Sequence, residues 1–415
     1  MSELAFAPLG RFADVVMGQS PGADLCNTEE RGLPFLQGCA EFGARHPHSD
    51  VYCSPPLRVA KAGSVLISVR APVGTMNYAD QDYCIGRGLG AFKAKPGVSS
   101  TVFLKHAVEL NAAYLHRRSQ GSTFAAVSTD DVKTVPIPVF KPEKQEKIAT
   151  ILTGIDTAIE KTEALIAKYQ QIKAGLMHDL FTRGVLPNGQ LRPPREQAPE
   201  LYQETAIRWI PREWRFTTCS KVCDKIIDCK NRTPPETPDG FPVIRTPNVR
   251  NGEFVDADLL YTDERSYVIW TMRGKPQVGD IVITREAPVG EVCVIPERHP
   301  AACLGQRMML YRPNQQLIDP RYFLYALQSS PIQNRLDLIS GGSTVGHVRV
   351  GDIRDLWMFM PDSPKEQKLI ASALDRVSEK LRSELVQREK LRQKKSGLMH
   401  DLLTGKTNPI QQPEV

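Results

Sequence analysis

The chain has 415 residues, 41% hydrophobic and 24% charged, with a formal net charge of +6. That length predicts two or three domains with sizeable cores, and the lack of a long apolar run excludes a helix that spans a bilayer. Nine scattered cysteines without a CxxC pair exclude a disulfide framework and point to reduced thiols in a cytoplasmic protein. The opening MSELAFAPLGRFADVV shows no signal-peptide pattern.

Residues 1–141 alternate short apolar stretches such as VLISV (65–69) with turns rich in Gly and Pro, which predicts strands of a mixed α/β domain. TVFLKHAVELNAAYLHRR (101–118) predicts a late helix. Pro142 suits the first turn of a long helix over 142–183. Residues 184–205 are polar, contain four prolines and read as a linker. A second mixed α/β domain follows over 206–362, opening at RWIPREWRF, with IVIT (281–284) as a strand. A second long helix is expected over 363–404, where Ser363 and Glu366 form a capping-box pattern around Pro364. The remaining 405–415 read as a flexible tail.

The two halves repeat one plan. GLMHDLFTRG (175–184) returns as GLMHDLLTGK (397–406), and 141–184 aligns without gaps on 363–406. AGSVLISVRAPVG (62–74) matches VGDIVITREAPVG (278–290), and CIGRGLGAF (84–92) matches CLGQRMMLY (303–311). SQGSTFAAVSTDDVKTV (119–135) matches SGGSTVGHVRVGDIRDL (340–356). A unit of about 200 residues is duplicated in tandem, too long for a solenoid repeat. Along the long helices, positions 148, 152, 155, 159, 162, 166, 169, 173, 176 and 180, and the same positions plus 222, are mostly apolar at alternating steps of four and three. That spacing predicts two helices packing on each other as a coiled coil. Thr162 and Glu384, and Lys173 and Lys395, are polar interruptions of the seam.

Enzymatic motifs fail on inspection. LLTGKT (402–407) lacks the first glycine of a phosphate loop, since His400 stands there. CSPPL (53–57) carries Leu57 where a base-stacking aromatic is needed. PDSPKEQK (361–368) places its acidic and basic groups at a helix start, too close together for a nuclease site. Neither His46 with His48 nor Cys219, Cys223 and Cys229 has the spacing of a metal site. The doubled His178-Asp179 and His400-Asp401 point about 100° apart on a helix and cannot clasp as dyads. No catalytic, cofactor-binding or metal-ligating residue is therefore assigned.

The basic residues are uneven in kind: 206–362 holds sixteen Arg and four Lys. Arg can grip a phosphate or a guanine edge with two bonds. If the partner is nucleic acid, the polar and Arg-bearing positions beside the strands are the candidates for contact: Gln19, Gln37, Arg70 and Arg87 in the first domain, Arg232, Arg245, Arg250, Arg285 and Arg307 in the second. Net charges of only +2 (1–141) and +1 (206–362) imply weak binding by each domain alone.

The FADVVMGQSPG start, the paired APVG turns and GST loops, IPREW (210–214), the PEKQEKIA and PKEQKLIA helix starts and the GLMHDL endings occur in a fixed order over essentially the whole chain. In that order, the chain resembles the specificity subunit of type I restriction–modification systems. The resemblance implies two target recognition domains, each reading one half of a bipartite sequence in double-stranded DNA. It also implies an antiparallel spacer coiled coil with pseudo-two-fold symmetry. Two methyltransferase subunits and two motor-nuclease subunits are the implied partners. They would carry the S-adenosylmethionine, ATP and Mg²⁺ chemistry and leave this chain non-catalytic. Leu176, Met177 and His178, and Leu398, Met399 and His400, would belong to the docking surfaces. Two alternatives remain at this level: a specificity subunit serving one fused cleavage and methylation polypeptide, and a coiled-coil scaffold with no DNA role.

Overall fold

The computed structural model describes residues 4–119, 126–341 and 346–409, so the paired GST loops and the last residues of the tail lie outside the described residues. The chain forms two compact units, residues 1–166 with 384–415, and residues 167–383.

In the first unit the strands include β1 (Ala13–Met17), β2 (Leu33–Leu36), β3 (Val65–Ser68), β4 (Met76–Tyr78), β5 (Tyr83–Ile85) and β6 (Leu89–Ala94). They are followed by α1 (Thr101–Leu110) and the start of α2 (Pro142–Thr182), whose later turns belong to the second unit. An antiparallel sheet has the order β1-β6-β3-β4, while β2 runs parallel to β5 with Phe35 opposite Cys84. Every residue of β3 is buried because both faces of the sheet are covered. Successive side chains point to opposite faces. Val65 and Ile67 therefore join Phe103, Leu104 and Ala107 of α1 in the main core, while Leu66 joins Leu36 and Ile85 in a smaller one.

The second unit repeats this arrangement. Its strands include β7 (Cys223–Asp228), β8 (Phe241–Ile244), β9 (Ile281–Arg285), β10 (Val289–Val294), β11 (Cys303–Leu304) and β12 (Met308–Pro313). Its helices include α3 (Glu264–Trp270), α4 (Pro320–Gln328) and the start of α5 (Pro364–Leu403). The antiparallel order is β7-β12-β9-β10, and β8 runs parallel to β11. Ile281 and Ile283 enter the main core with Tyr322 and Phe323 of α4, and Val282 enters a second. Ala71-Pro72 and Ala287-Pro288, in the two APVG turns, are both cis.

The long helices pack together and run antiparallel. In the first unit Asp156 pairs with Lys395 at 2.8 Å and Glu163 with Arg392 at 2.7 Å, so the partner's number falls as the helix advances. Every seam position predicted from the sequence is buried or half-buried. The ending of α5 places Met399, Leu402 and Leu403 in the core of the first unit, and the ending of α2 places Leu180 and Phe181 in that of the second.

Two expectations are corrected. The segment 184–205 is not a loose linker: Val185, Ala198 and Tyr202 are buried, and Tyr202–Glu204 pairs with Trp209–Pro211. Arg192 is 2% exposed and meets Glu366 through two bonds of 2.5 and 3.0 Å. Glu366 Oε1 also accepts from Val185 N and Trp214 Nε1, both at 3.0 Å. Its carboxylate thus anchors the segment instead of closing a capping box, since four donors to a buried carboxylate outcompete one backbone amide.

One glutamine fixes each helix start. Gln145 Nε2 donates to Phe140 O at 2.9 Å and its Oε1 accepts from Ser99 Oγ at 2.7 Å. Gln367 Nε2 donates to Pro361 O at 3.0 Å and its Oε1 accepts from Asp319 N at 2.8 Å. Both glutamines are buried, so each bond replaces one that water would otherwise supply.

Candidate nucleic-acid interface

The loop after β1, the end of β2, the turn after β3 and the β5–β6 connection meet at one end of the first sheet. Gln19 N donates to Ile85 O at 2.9 Å, Gly86 N to Leu36 O at 2.8 Å and Val69 N to Gly88 O at 3.0 Å. Ser20 Oγ bridges these segments, donating to Gln37 Oε1 at 3.1 Å and accepting from Arg87 N at 3.2 Å. The approach is close enough to need glycine: a Cβ on Gly88 would stand 2.5 Å from Gln37 O, and one on Gly86 2.6 Å from Gln37 Oε1. Gln19, Gln37, Arg70 and Arg87 are all exposed on this rim. Arg70 and Arg87 form no side-chain ion pair among the described residues. Their guanidinium groups are available to phosphate or base edges.

The second unit builds the same rim from different side chains. Gly305 N donates to Ile244 O at 2.9 Å and Arg285 N to Arg307 O at 2.9 Å, repeating the first rim's backbone bonds. These bonds put Arg245 where the first rim has Gln37, and Arg307 where it has Gly88. Arg307 takes a left-handed φ of 73°, a costly conformation for a side chain of that size. Its Nε lies 2.9 Å from Glu286 Oε2, and Glu286 Oε1 lies 2.5 Å from His347 Nδ1. Arg245 Nη2 donates to Asp258 O at 2.6 Å, and Arg250 Nη1 to Thr246 O at 3.1 Å.

Arg285 is a correction. It is 5% exposed, with its guanidinium 3.4 Å from Val348 O and 3.9 Å from Asp228 Oδ1, so it braces the rim from inside. Its position inside the IVITR strand, where side chains serve the core, is the reason. Arg232 is exposed and lies 5.6 Å over the Trp270 ring, beside Lys230 at 4.7 Å. Ser20, Lys230 and Trp270 are rim neighbours that the sequence reading missed. Only the fold brings α3 beside residues 230–233.

The docking candidates divide by side chain. Met399 is buried and Leu176, Met177 and Leu398 are half-buried against the cores, so they hold the helix ends in place. His178 and His400 are exposed; His400 Nε2 lies 2.9 Å from Lys406 Nζ. Asp179 faces Arg183 at 3.5 Å. In the second unit Met177, His178, Phe181, Arg208, Leu338 and Trp357 border a groove of about 460 Å³.

One cluster has metal-ligand chemistry among the described residues: His106, Glu109 and Asp156. Lys395 Nζ lies 2.6 Å from Glu109 and 2.8 Å from Asp156, and Lys105 Nζ lies 3.2 Å from each. Ammonium groups stand where a metal cation would have to sit. His48 lies 3.1 Å from Asp50, and His46 Nδ1 3.1 Å from Tyr78 O. All nine cysteines are free.

Comparison with known proteins decides the family. The model of the type I restriction modification DNA specificity domain matches residues 57–171 and 211–392, once in each half. The chain belongs to this family. A specificity subunit assigned to the type I restriction enzyme MjaX of Methanocaldococcus jannaschii is 35% identical over 172 residues, 41% of this chain and 40% of that one. The chain therefore matches less than half the length of that relative. The MjaVIII specificity subunit of the same organism is 22% identical over 75% of this chain and 71% of its own. The fold resembles the crystal structure of a type I restriction–modification S subunit from M. genitalium, with a TM-score of 0.62 and 15% identity over 97% of both chains. It also resembles a chain from a study of complex assembly and conformational transition in the type I system, with a TM-score of 0.52 and 16% identity over 98% of this chain and 99% of that one.

Proposed function

We propose that this chain is the sequence-reading subunit of a type I restriction–modification complex and performs no chemistry itself. The observation that carries the reading is the rim built twice. One backbone frame presents Gln37 in the first unit and Arg245 in the second, Gly88 and then Arg307. Equal frames with unequal side chains suit two unequal half-sites in double-stranded DNA. Phosphate contacts position such a subunit and base-edge contacts specify.

The helices act as the spacer between the half-sites. Each spans about 60 Å at 1.5 Å per residue. Two methyltransferase subunits dock near the helix endings, where His178 and His400 are exposed and the second unit has its groove. Two motor-nuclease subunits complete the complex, and S-adenosylmethionine, ATP and Mg²⁺ bind those partners. No described helix is long and apolar enough to cross a membrane, which suits a cytoplasmic complex.

The test exchanges residues 1–141 for the same domain of a relative and maps methylated sites in a host that carries the system. One half-site changes and the other stays. A change in both halves, or in neither, would refute the assignment. Inserting Ala-Glu-Ala-Leu after Lys161 adds about 6 Å of helix and lengthens the unread gap by one or two base pairs. An active variant with an unchanged gap would show that the helices do not set the spacing.

A further inference from the structure

The second domain has an element without a counterpart in the first. Between β8 and β9 it carries the helix α3, whereas residues 37–64, between β2 and β3, hold no α-helix. The chain leaves α3 through Thr271, Met272 and Arg273. Met272 is 80% exposed and Val268, one turn earlier, is 54% exposed.

Three cations stand on aromatic rings of the same helix. Lys230 and Arg232 lie over the Trp270 ring, whose Nε1 donates to Arg232 O at 2.8 Å. Lys275 lies 5.9 Å from the Tyr267 ring. None of these three cations forms a salt bridge among the described residues. Arg273 does, 2.8 Å from Asp228 Oδ2, and it also donates to Cys229 O at 2.8 Å. These bonds tie the exposed segment to the end of β7. Thr233 Oγ1 accepts from Gln306 N at 3.4 Å, which joins the cation-bearing loop to the rim.

An exposed methionine just past a helix whose rings carry cations without salt bridges matches the chemistry of duplex DNA. Lysine is depleted from protein interfaces, and a protein partner would have to desolvate these charges. Phosphates accept the cations at the rim of a groove, while an apolar wedge beside them inserts against a base step. The ring under Lys230 and Arg232 holds their charges in place through its face and leaves their N–H groups free.

We propose that residues 268–275 form a second DNA contact of this domain, beside the rim, with Lys230 and Arg232 on phosphates and Met272 as an apolar wedge against a base step flanking the half-site. This rests on the DNA-reading role of the domain. The first domain lacks the device, so its own half-site is bound without a wedge.

The test uses the full chain assembled with its modification subunits and a target duplex carrying 2-aminopurine at the flank of the second half-site. The wild-type complex raises the fluorescence of one flanking position on binding. Met272→Ala abolishes that rise and weakens binding roughly threefold to tenfold without changing the salt dependence. Met272→Leu, which keeps an apolar side chain, retains both. Lys230→Ala with Arg232→Ala lowers the slope of log affinity against log salt by about 2. Wild-type affinity and fluorescence in Met272→Ala, with an unchanged slope in the double variant, would overturn the proposal. A wild-type complex that binds target and scrambled duplex equally would instead overturn the DNA-recognition reading.

Discussion

Lys395 and Lys173 occupy the same step of the repeated helix, yet the two units treat them in opposite ways. Lys395 lies between Glu109 and Asp156 at 2.6 and 2.8 Å, with Lys105 sharing both carboxylates and His106 buried alongside. Burial would raise the Glu109 carboxyl, but His106, Lys105 and Lys395 together hold it well below the usual range. Lys173 forms no salt bridge among the described residues. Its ammonium lies 5.7 Å over the Tyr325 ring beside a cavity of about 400 Å³, and burial pulls its pKa down. The repeat offset puts Tyr325, Gln328 and Ser378 where the first unit has His106, Glu109 and Asp156. The helices kept the lysine at this step while the domains changed the faces they offer to it. The first unit is fastened to its helices by charge at this step. The second is held here by the Tyr325 hydroxyl, which donates to Asp375 at 2.9 Å and meets Ser378 at 3.2 Å, and by Arg192 and Glu366 at the start of α5.

The comparison breaks most severely at Glu366. Glu366→Ala leaves buried Arg192 with only the exposed Glu213, 3.1 Å away, and should cost the second unit about 3 kcal/mol, read by urea unfolding. A loss as small as that of a surface ion pair would show that the network is not the fastening. Lys395→Met should come next. It removes one of two cations from the Glu109–Asp156 pair, and Lys105 remains, so about 1–3 kcal/mol is expected from the first unit. If the variant matched wild type, charge would not be what holds that step.

Acid sharpens the contrast. Glu109 has a folded pKa below its unfolded value, so its stabilisation is fully present above the unfolded value, near 4.3, and is lost as pH falls below it. The first unit should lose thermal stability progressively as pH falls below about 4, and in Lys395→Met, whose folded Glu109 titrates higher, that loss should level off at a higher pH. Equal pH dependence in the two proteins would contradict the mechanism. Lys173→Met gives the smallest effect and the opposite sign. A lysine whose folded pKa is lowered binds its proton more weakly than in the unfolded chain, so the charge destabilises the fold below that pKa. An apolar replacement should be neutral or gain up to about 1 kcal/mol at pH 7. A clear loss of stability would mean that Lys173 has an attractive partner after all.

Much of the architecture was legible because it is periodic or repeated. Every position of the helical seam is turned inward, and the APVG and CIGRGLGAF matches proved to be the same turn and the same strand connection in both units. The linker was misread because proline and charge dominate 184–205, and composition does not show that Arg192 finds Glu366 some 174 residues away. Capping was misassigned to Glu366 for the same reason: a local pattern was satisfied on paper while a distant partner was stronger. Arg285 was grouped with the Arg-bearing positions beside the strands, but the strand Ile281–Arg285 includes it and is buried on both faces.

By itself the sequence determined the duplication, the strand and helix content and the helical seam, because these rest on local spacing and on burying apolar side chains. Only the tertiary structure decided which residues share a rim, that α3 adds Trp270 and Met272 beside the second one, and which of two equivalent lysines is neutralised. Those outcomes depend on groups far apart in the chain meeting at distances near 3 Å, and no pattern within either segment encodes its partner.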